Sequence, residues 1–122
     1  MNIYVAGKDI ERARKVMTVL QEAGHTITFD WLVDIESETN PVQKALDERE
    51  GIRLADAFVY LWEPDQESAR YEAGMAMGLG KPVIVSGTHE SWFFSLPEVT
   101  CVVTDAEILQ ALSSSSAKKD PA

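Results

Sequence analysis

Short apolar runs alternate along this chain with amphipathic stretches of helical period, and that alternation restricts the fold more than any other feature of the sequence. NIYVAG (2–7) reads as a buried strand ending at Gly7, after which Asp9 caps a helix with the apolar stripe Ile10, Ala13, Val16, Met17 and Leu20. Gly24 stops that helix, and TITFDW (26–31) reads as a second strand, followed by a polar loop through Asn40. Pro41 suits the first turn of a second helix, in which Val42, Ala45 and Leu46 share an apolar face that continues toward Ile52. DAFVYLW (56–62) is nearly continuous in hydrophobicity, as a strand covered on both faces should be. Beyond its exit loop, a helix runs from a capping Ser68 to about Leu79 and leads into a fourth strand, PVIVS. An aromatic loop (HESWFFSLPEV), a fifth short strand (CVVT) and a last helix (DAEILQAL) complete the pattern.

Strands and helices in this order predict an α/β fold with a parallel sheet, because each crossover must return to the same end of the sheet. Five strands in this length fit the flavodoxin-like order 2-1-3-4-5, with helices on both faces and a single domain over 1–112. The serine run and AKKDPA, 113–122, read as a flexible tail. Ligands of such sheets sit outside the carboxyl ends of the strands, where strands 1 and 3 send their chains in opposite directions. The loops at that point are AGKD (6–9) and EPDQES (63–68). Glu72, in the opening turns of the helix that follows, is therefore expected beside the crevice.

Composition narrows the function classes. With 20 acidic and 11 basic side chains and a formal charge of −9, the chain lacks the clustered Lys and Arg that nucleic acid or an anionic membrane surface requires. A small ligand is compatible, since its site is decided locally. No apolar run approaches the length that spans a bilayer, and MNIYVAG lacks the basic and apolar regions of a signal peptide, so the cytoplasm is the expected compartment. The single cysteine, Cys101, excludes an internal disulfide and a cysteine-based metal cluster, and in VTCVV it is expected to pack as a small apolar residue. His25 and His89 stand apart, so no metal site and no cofactor are expected.

IYVAGK at the start, LADAFVYL in the middle and RYEAGMAMGLGKPVIV after it resemble the nucleoside 2-deoxyribosyltransferase superfamily, including its nucleoside 5'-monophosphate N-glycosidase branch. The resemblance runs from Met1 to about Leu112. Ile3, Tyr4 and Gly7 match the family's first-strand pattern, Asp56 its acid at the opening of strand 3, and Glu72-Ala73-Gly74 the Glu-x-Gly that carries the nucleophile. It implies cleavage or transfer of an N-glycosidic bond. Breaking that bond builds positive charge on the anomeric carbon of the sugar, which a carboxylate stabilises or bonds to. Glu72 is then that carboxylate, with its ionised form favoured by the helix dipole, and Tyr4 orients it.

A departing base needs a proton. The family's assisting acid falls on Glu48, with Asp47 adjacent, although DERE (47–50) reads equally as a solvated helical face. Asp65 is a second candidate, and Asp56 reads as structural. Where the family's phosphate loop has glycines, this chain has Ser68 and Arg70. Ser68 as helix cap, the backbone amides of the helix start, Arg70 and Lys8 are candidates for an anion cradle, with Gly7 also among the expected substrate-binding residues, or Ser68 and Arg70 serve only as cap and surface. Trp31 and Trp62 lie at the end of the sheet where a base would stack, or serve as core or as an oligomer contact. The resemblance also implies a homodimer or higher oligomer, for which 91–97 offers apolar surface. Two other readings stay open: a nucleotide-sensing module without turnover, and an NAD-cleaving enzyme of the Toll/interleukin-receptor-like kind.

Overall fold

The computed structural model describes residues 1–33 and 40–119, with side chains in the last helix described up to 115. Five parallel strands, β1 (Asn2–Ala6), β2 (Thr26–Ile27), β3 (Ala57–Leu61), β4 (Val83–Ser86) and β5 (Val99–Val102), form one sheet in the order 2-1-3-4-5. The helices are α1 (Ile10–Glu22), α2 (Pro41–Leu54), α3 (Ser68–Gly78) and α4 (Ile108–Lys119), with 3-10 turns at Trp92–Ser95 and Asp105–Glu107. This is the α/β architecture that the alternation predicts.

The two faces of the sheet follow from strand pleating, which sends neighbouring side chains to opposite sides. Ile3, Val5, Val59 and Leu61 pack under α1 and α4, while Tyr4, Phe58 and Tyr60 pack under α2 and α3. Every residue of β3 is buried, as its unbroken hydrophobicity requires. Asp9 caps α1 through its side chain, which accepts from the Arg12 amide at 3.1 Å, and Gly24 ends the same helix region at φ 95°. Asp56 accepts from the Asn2 amide at 2.8 Å and donates its own amide to the Asn2 carbonyl at 2.7 Å, so it joins the starts of β1 and β3.

Several expectations are corrected. β2 ends at Ile27, short of Trp31, and Asp30 Oδ1 accepts the Leu32 amide at 3.1 Å, a side-chain turn that competes with extended backbone. Val42, Ala45 and Leu46 are exposed, Val42 by 67%, and α2 buries only Gly51 and Ile52. The short β2 offers little sheet beneath the N-terminal half of that helix. Cys101 is exposed because β5 is an edge strand that buries Val102 instead. The fifth strand also begins at Val99, two residues before CVVT. α4 continues through the serine run to Lys119, where a tail was expected, since no Gly or Pro interrupts it before Pro121.

At the carboxyl edge one side chain ties three elements together. The Arg12 guanidinium holds Asp105 through two 2.8 Å hydrogen bonds and donates to the carbonyls of Trp62 at 2.8 Å and Ser86 at 3.0 Å. Ser86 Oγ donates to the same carboxylate at 2.6 Å. The planar fork of arginine suits this bidentate arrangement.

Candidate active site

The site begins with helix packing. Ala69, Ala73 and Ala76 are buried, and their small side chains let α3 lie close on the sheet. That closeness carries Glu72 inward, where it is 7% exposed. Glu72 is past the first turn, which holds no acid, so the expected dipole stabilisation is not what governs it. Burial pushes its pKa up to about 7, against a hydrogen bond from Tyr4 that lowers it and the nearby charge of Glu48 that raises it further. The Tyr4 hydroxyl donates to Glu72 Oε2, and burial followed by the Glu72 charge keeps that hydroxyl protonated well above its ordinary range.

Tyr4 is in turn held by a ring and a glycine. Its ring stacks on Phe58 at 5.5 Å, and α2 presses on it at Gly51. A Cβ at Gly51 would stand 2.9 Å from Phe29 Cβ and 3.1 Å from the Tyr4 ring. Glycine is therefore what lets α2 approach, and the approach brings Glu48 close enough for its charge to act on both Glu72 and Tyr4. The two readings of DERE are separated by geometry. Asp47 accepts from Gln43 at 2.7 Å and Glu50 pairs with Arg53 at 2.5 Å, on the solvated side. Glu48 is half-buried, and burial raises its pKa while Lys44 opposes the shift.

Two loops close the carboxyl edge beside these groups. Gly7 passes so near β3 that a Cβ there would meet Leu61 Cβ at 3.2 Å. Lys8 Nζ donates to the Asp65 carbonyl at 3.3 Å, and the Asp9 amide donates to Glu63 Oε2 at 3.0 Å. Asp65 sits at φ 62°, a left-handed conformation that aspartate tolerates better than most residues. Gln66 is buried and holds the turn, donating to the Leu61 carbonyl at 2.8 Å and accepting from the Glu63 amide at 2.9 Å.

Four further candidates, Ser68, Arg70, Trp31 and Trp62, lie on α3 and against the two faces of the sheet. Ser68 is the first helical residue and not the cap: the preceding Glu67 is already in the helical region, with no side-chain cap bond, and its carbonyl accepts from Arg70 and Tyr71. The Arg70 guanidinium faces the Tyr60 hydroxyl, lining a groove toward β4 that Lys8 does not share. Trp31 packs on the α1 and α4 side of the sheet, with its indole N–H on the Val5 carbonyl at 2.8 Å. Trp62 is stacked on His89, ring centroids 4.5 Å apart.

Lys44, Gly51 and Gln66 were not singled out from the sequence. A glycine inside EREGIRL costs helix stability and so signals close packing, and Lys44 precedes Glu48 by one helical turn. Gln66 gave no local signal. Among the described residues no group of three or more His, Cys, Asp or Glu side chains is placed to hold a metal ion, and no helix is long and apolar enough to cross a membrane.

No family model and no curated protein matches the sequence. Solved structures do match the fold. A CMP N-glycosidase from Clostridium botulinum superposes with a TM-score of 0.69 at 18% identity, over 93% of this chain and 99% of that one. A 2-deoxyribosyltransferase from Bacillus psychrosaccharolyticus gives 0.67 at 19% identity, over 88% of this chain and 90% of that one. The chain thus has the fold that its sequence resemblance implies.

Proposed function

We propose that this chain belongs to the nucleoside 2-deoxyribosyltransferase superfamily and cleaves or transfers the N-glycosidic bond of a nucleoside or nucleoside 5'-monophosphate, with Glu72 as nucleophile. The observation that carries the reading is the buried Glu72 carboxyl hydrogen-bonded by Tyr4 and faced by the charge of a second carboxyl, Glu48. A solvated helix-start acid has none of these features. The shared fold with an N-glycosidase and a deoxyribosyltransferase supports it.

In this mechanism Tyr4 holds one oxygen of Glu72 and leaves the other for the anomeric carbon. As the carbon–nitrogen bond breaks, its electron pair leaves with the base, which takes a proton from Glu48, and Glu72 bonds to the sugar. Glu48, now a carboxylate, removes a proton from the water or second base that displaces Glu72. The raised pKa of Glu48 suits an acid that must be protonated in the first step. Lys8 and Asp65 border the crevice where the sugar end of the substrate would lie. We further propose a homo-oligomer in the cytoplasm, supported by Trp92, which is 95% exposed.

Incubation with a panel of nucleosides and nucleoside 5'-monophosphates, with free base followed by chromatography, tests the reading. Release from at least one of them is expected. Binding without release from any would replace the enzyme by a sensing module.

A further inference from the structure

On the β4 side of α3 lies a groove of about 810 Å³, within the range of small-molecule sites. Its wall is aromatic and already ordered. Trp62 and His89 stack with an interplanar angle of 4°, and Phe94 meets both His89 and Tyr60 edge-on, at 6.0 and 6.3 Å. The opposite wall is α3, where Gly74 and Gly78 leave the space over the helix open: a Cβ on either would find nothing within 4 Å. Arg70 lines the same groove, and none of the ion pairs among the described residues uses it. A guanidinium that meets the Tyr60 hydroxyl but none of those carboxylates, beside aromatic rings, is complementary to an anion.

We propose that this groove is a second small-molecule site, which takes a planar aromatic ring bearing one anionic group, the ring against the aromatic wall and the anion on Arg70. It is separate from the proposed catalytic crevice. Glu72 turns to Tyr4 on β1, whereas the groove is bounded by the ends of β3 and the segment after β4, with the body of α3 between. Occupancy of the groove needs no reaction at Glu72, so the two readings stand or fall apart.

Calorimetry with 2-naphthoate as the probe tests the site, with 2-naphthalenemethanol supplying the ring without the charge and inorganic phosphate the charge without the ring. Gly78→Leu fills the groove, and because it replaces glycine in a helix where nothing obstructs a side chain, it should fold. The naphthoate is expected to bind wild type at least tenfold more tightly than either partial probe, to lose at least tenfold in Gly78→Leu, and to lose its advantage over the alcohol in Arg70→Met. Base release, where present, should be unchanged in Gly78→Leu. Equal binding to wild type and Gly78→Leu would overturn the proposal. So would no binding to wild type, including the case in which Gly78→Leu dissociates an oligomer and thereby shows that a second copy covers the groove.

Discussion

The Tyr4 hydroxyl, on the central strand β1, donates its hydrogen to Glu72 on α3, a partner 68 residues further along the chain. That bond is the one contribution from β1 that favours the carboxylate, set against burial that disfavours it. A nucleophile must be ionised and Glu48 must still hold its proton, so base release should rise with pH toward about 7, the pKa of Glu72, and fall again at higher pH as Glu48 ionises. Tyr4→Phe removes the bond and leaves burial unopposed. The midpoint of its rising limb should move up by about 1–2 pH units and its rate at pH 7 fall by about 10- to 100-fold. A pH–rate profile that falls without moving that midpoint would count against the orienting role.

The same burial makes a stability prediction of definite sign. Glu72 goes from an ordinary 4.5 to about 7 on folding, so between these values the folded state holds the proton more tightly than the unfolded state. Below about 4.5 the group costs nothing, and as pH rises through 7 stability on the order of 3 kcal/mol is lost. Glu72→Gln lacks this loss. Its advantage over wild type in urea unfolding should grow by about 2–3 kcal/mol from pH 5 to pH 8. A constant difference would mean that the carboxyl is not desolvated.

Gly51→Ala tests whether α2 has to approach Tyr4. Alanine in a helix interior ordinarily gains about 0.5–1 kcal/mol over glycine. Here the new Cβ would stand 2.9 Å from Phe29 and 3.1 Å from the Tyr4 ring, and overpacking of that kind costs about 1–3 kcal/mol. The collision should win. Net destabilisation in urea is expected together with slower base release, although no functional group has been removed; a more stable variant with full activity would show that the contact yields.

Arg12→Lys removes the fork that joins Asp105, the Trp62 carbonyl and the Ser86 carbonyl. An ammonium keeps the charge but cannot serve all three. A loss of about 1–3 kcal/mol is expected, since polar groups only partly open to water are left without partners. Arg12 also holds the Asp105 carboxyl below its ordinary pKa, so this contribution is present above about pH 4 and fades as pH falls through the lowered folded-state value. Urea unfolding of the two proteins at pH 7 and pH 3 checks both statements: the gap should narrow at the lower pH.

Strand order was legible because continuous apolar runs and helical stripes are local properties, and parallel crossovers leave few ways to join them. The placement of Glu72 near Tyr4 was also legible, through the family resemblance together with the topology. What failed did so for nonlocal reasons. Val42 and Leu46 carry a helical stripe, yet β2 is too short to lie under it. TITFDW alternates like a strand, but the Asp30 side chain turns the backbone and sends Phe29 and Trp31 to opposite faces. The ionisation of Glu72 was misjudged because a helix position is visible in sequence and the depth of burial beneath α2 is not.

The central claim is that Glu72 meets the charge developing on the sugar. The measurement is base release from a substrate found in the nucleoside and nucleotide panel, by wild type, Glu72→Gln and, as a control of equal charge change, the exposed Glu67→Gln. Glutamine keeps the shape and can still accept from Tyr4, but it neither forms the glycosyl bond nor offsets the cation. A fall of roughly a thousandfold or more in Glu72→Gln, with Glu67→Gln like wild type, is the predicted result. Equal release from wild type and Glu72→Gln would contradict the mechanism.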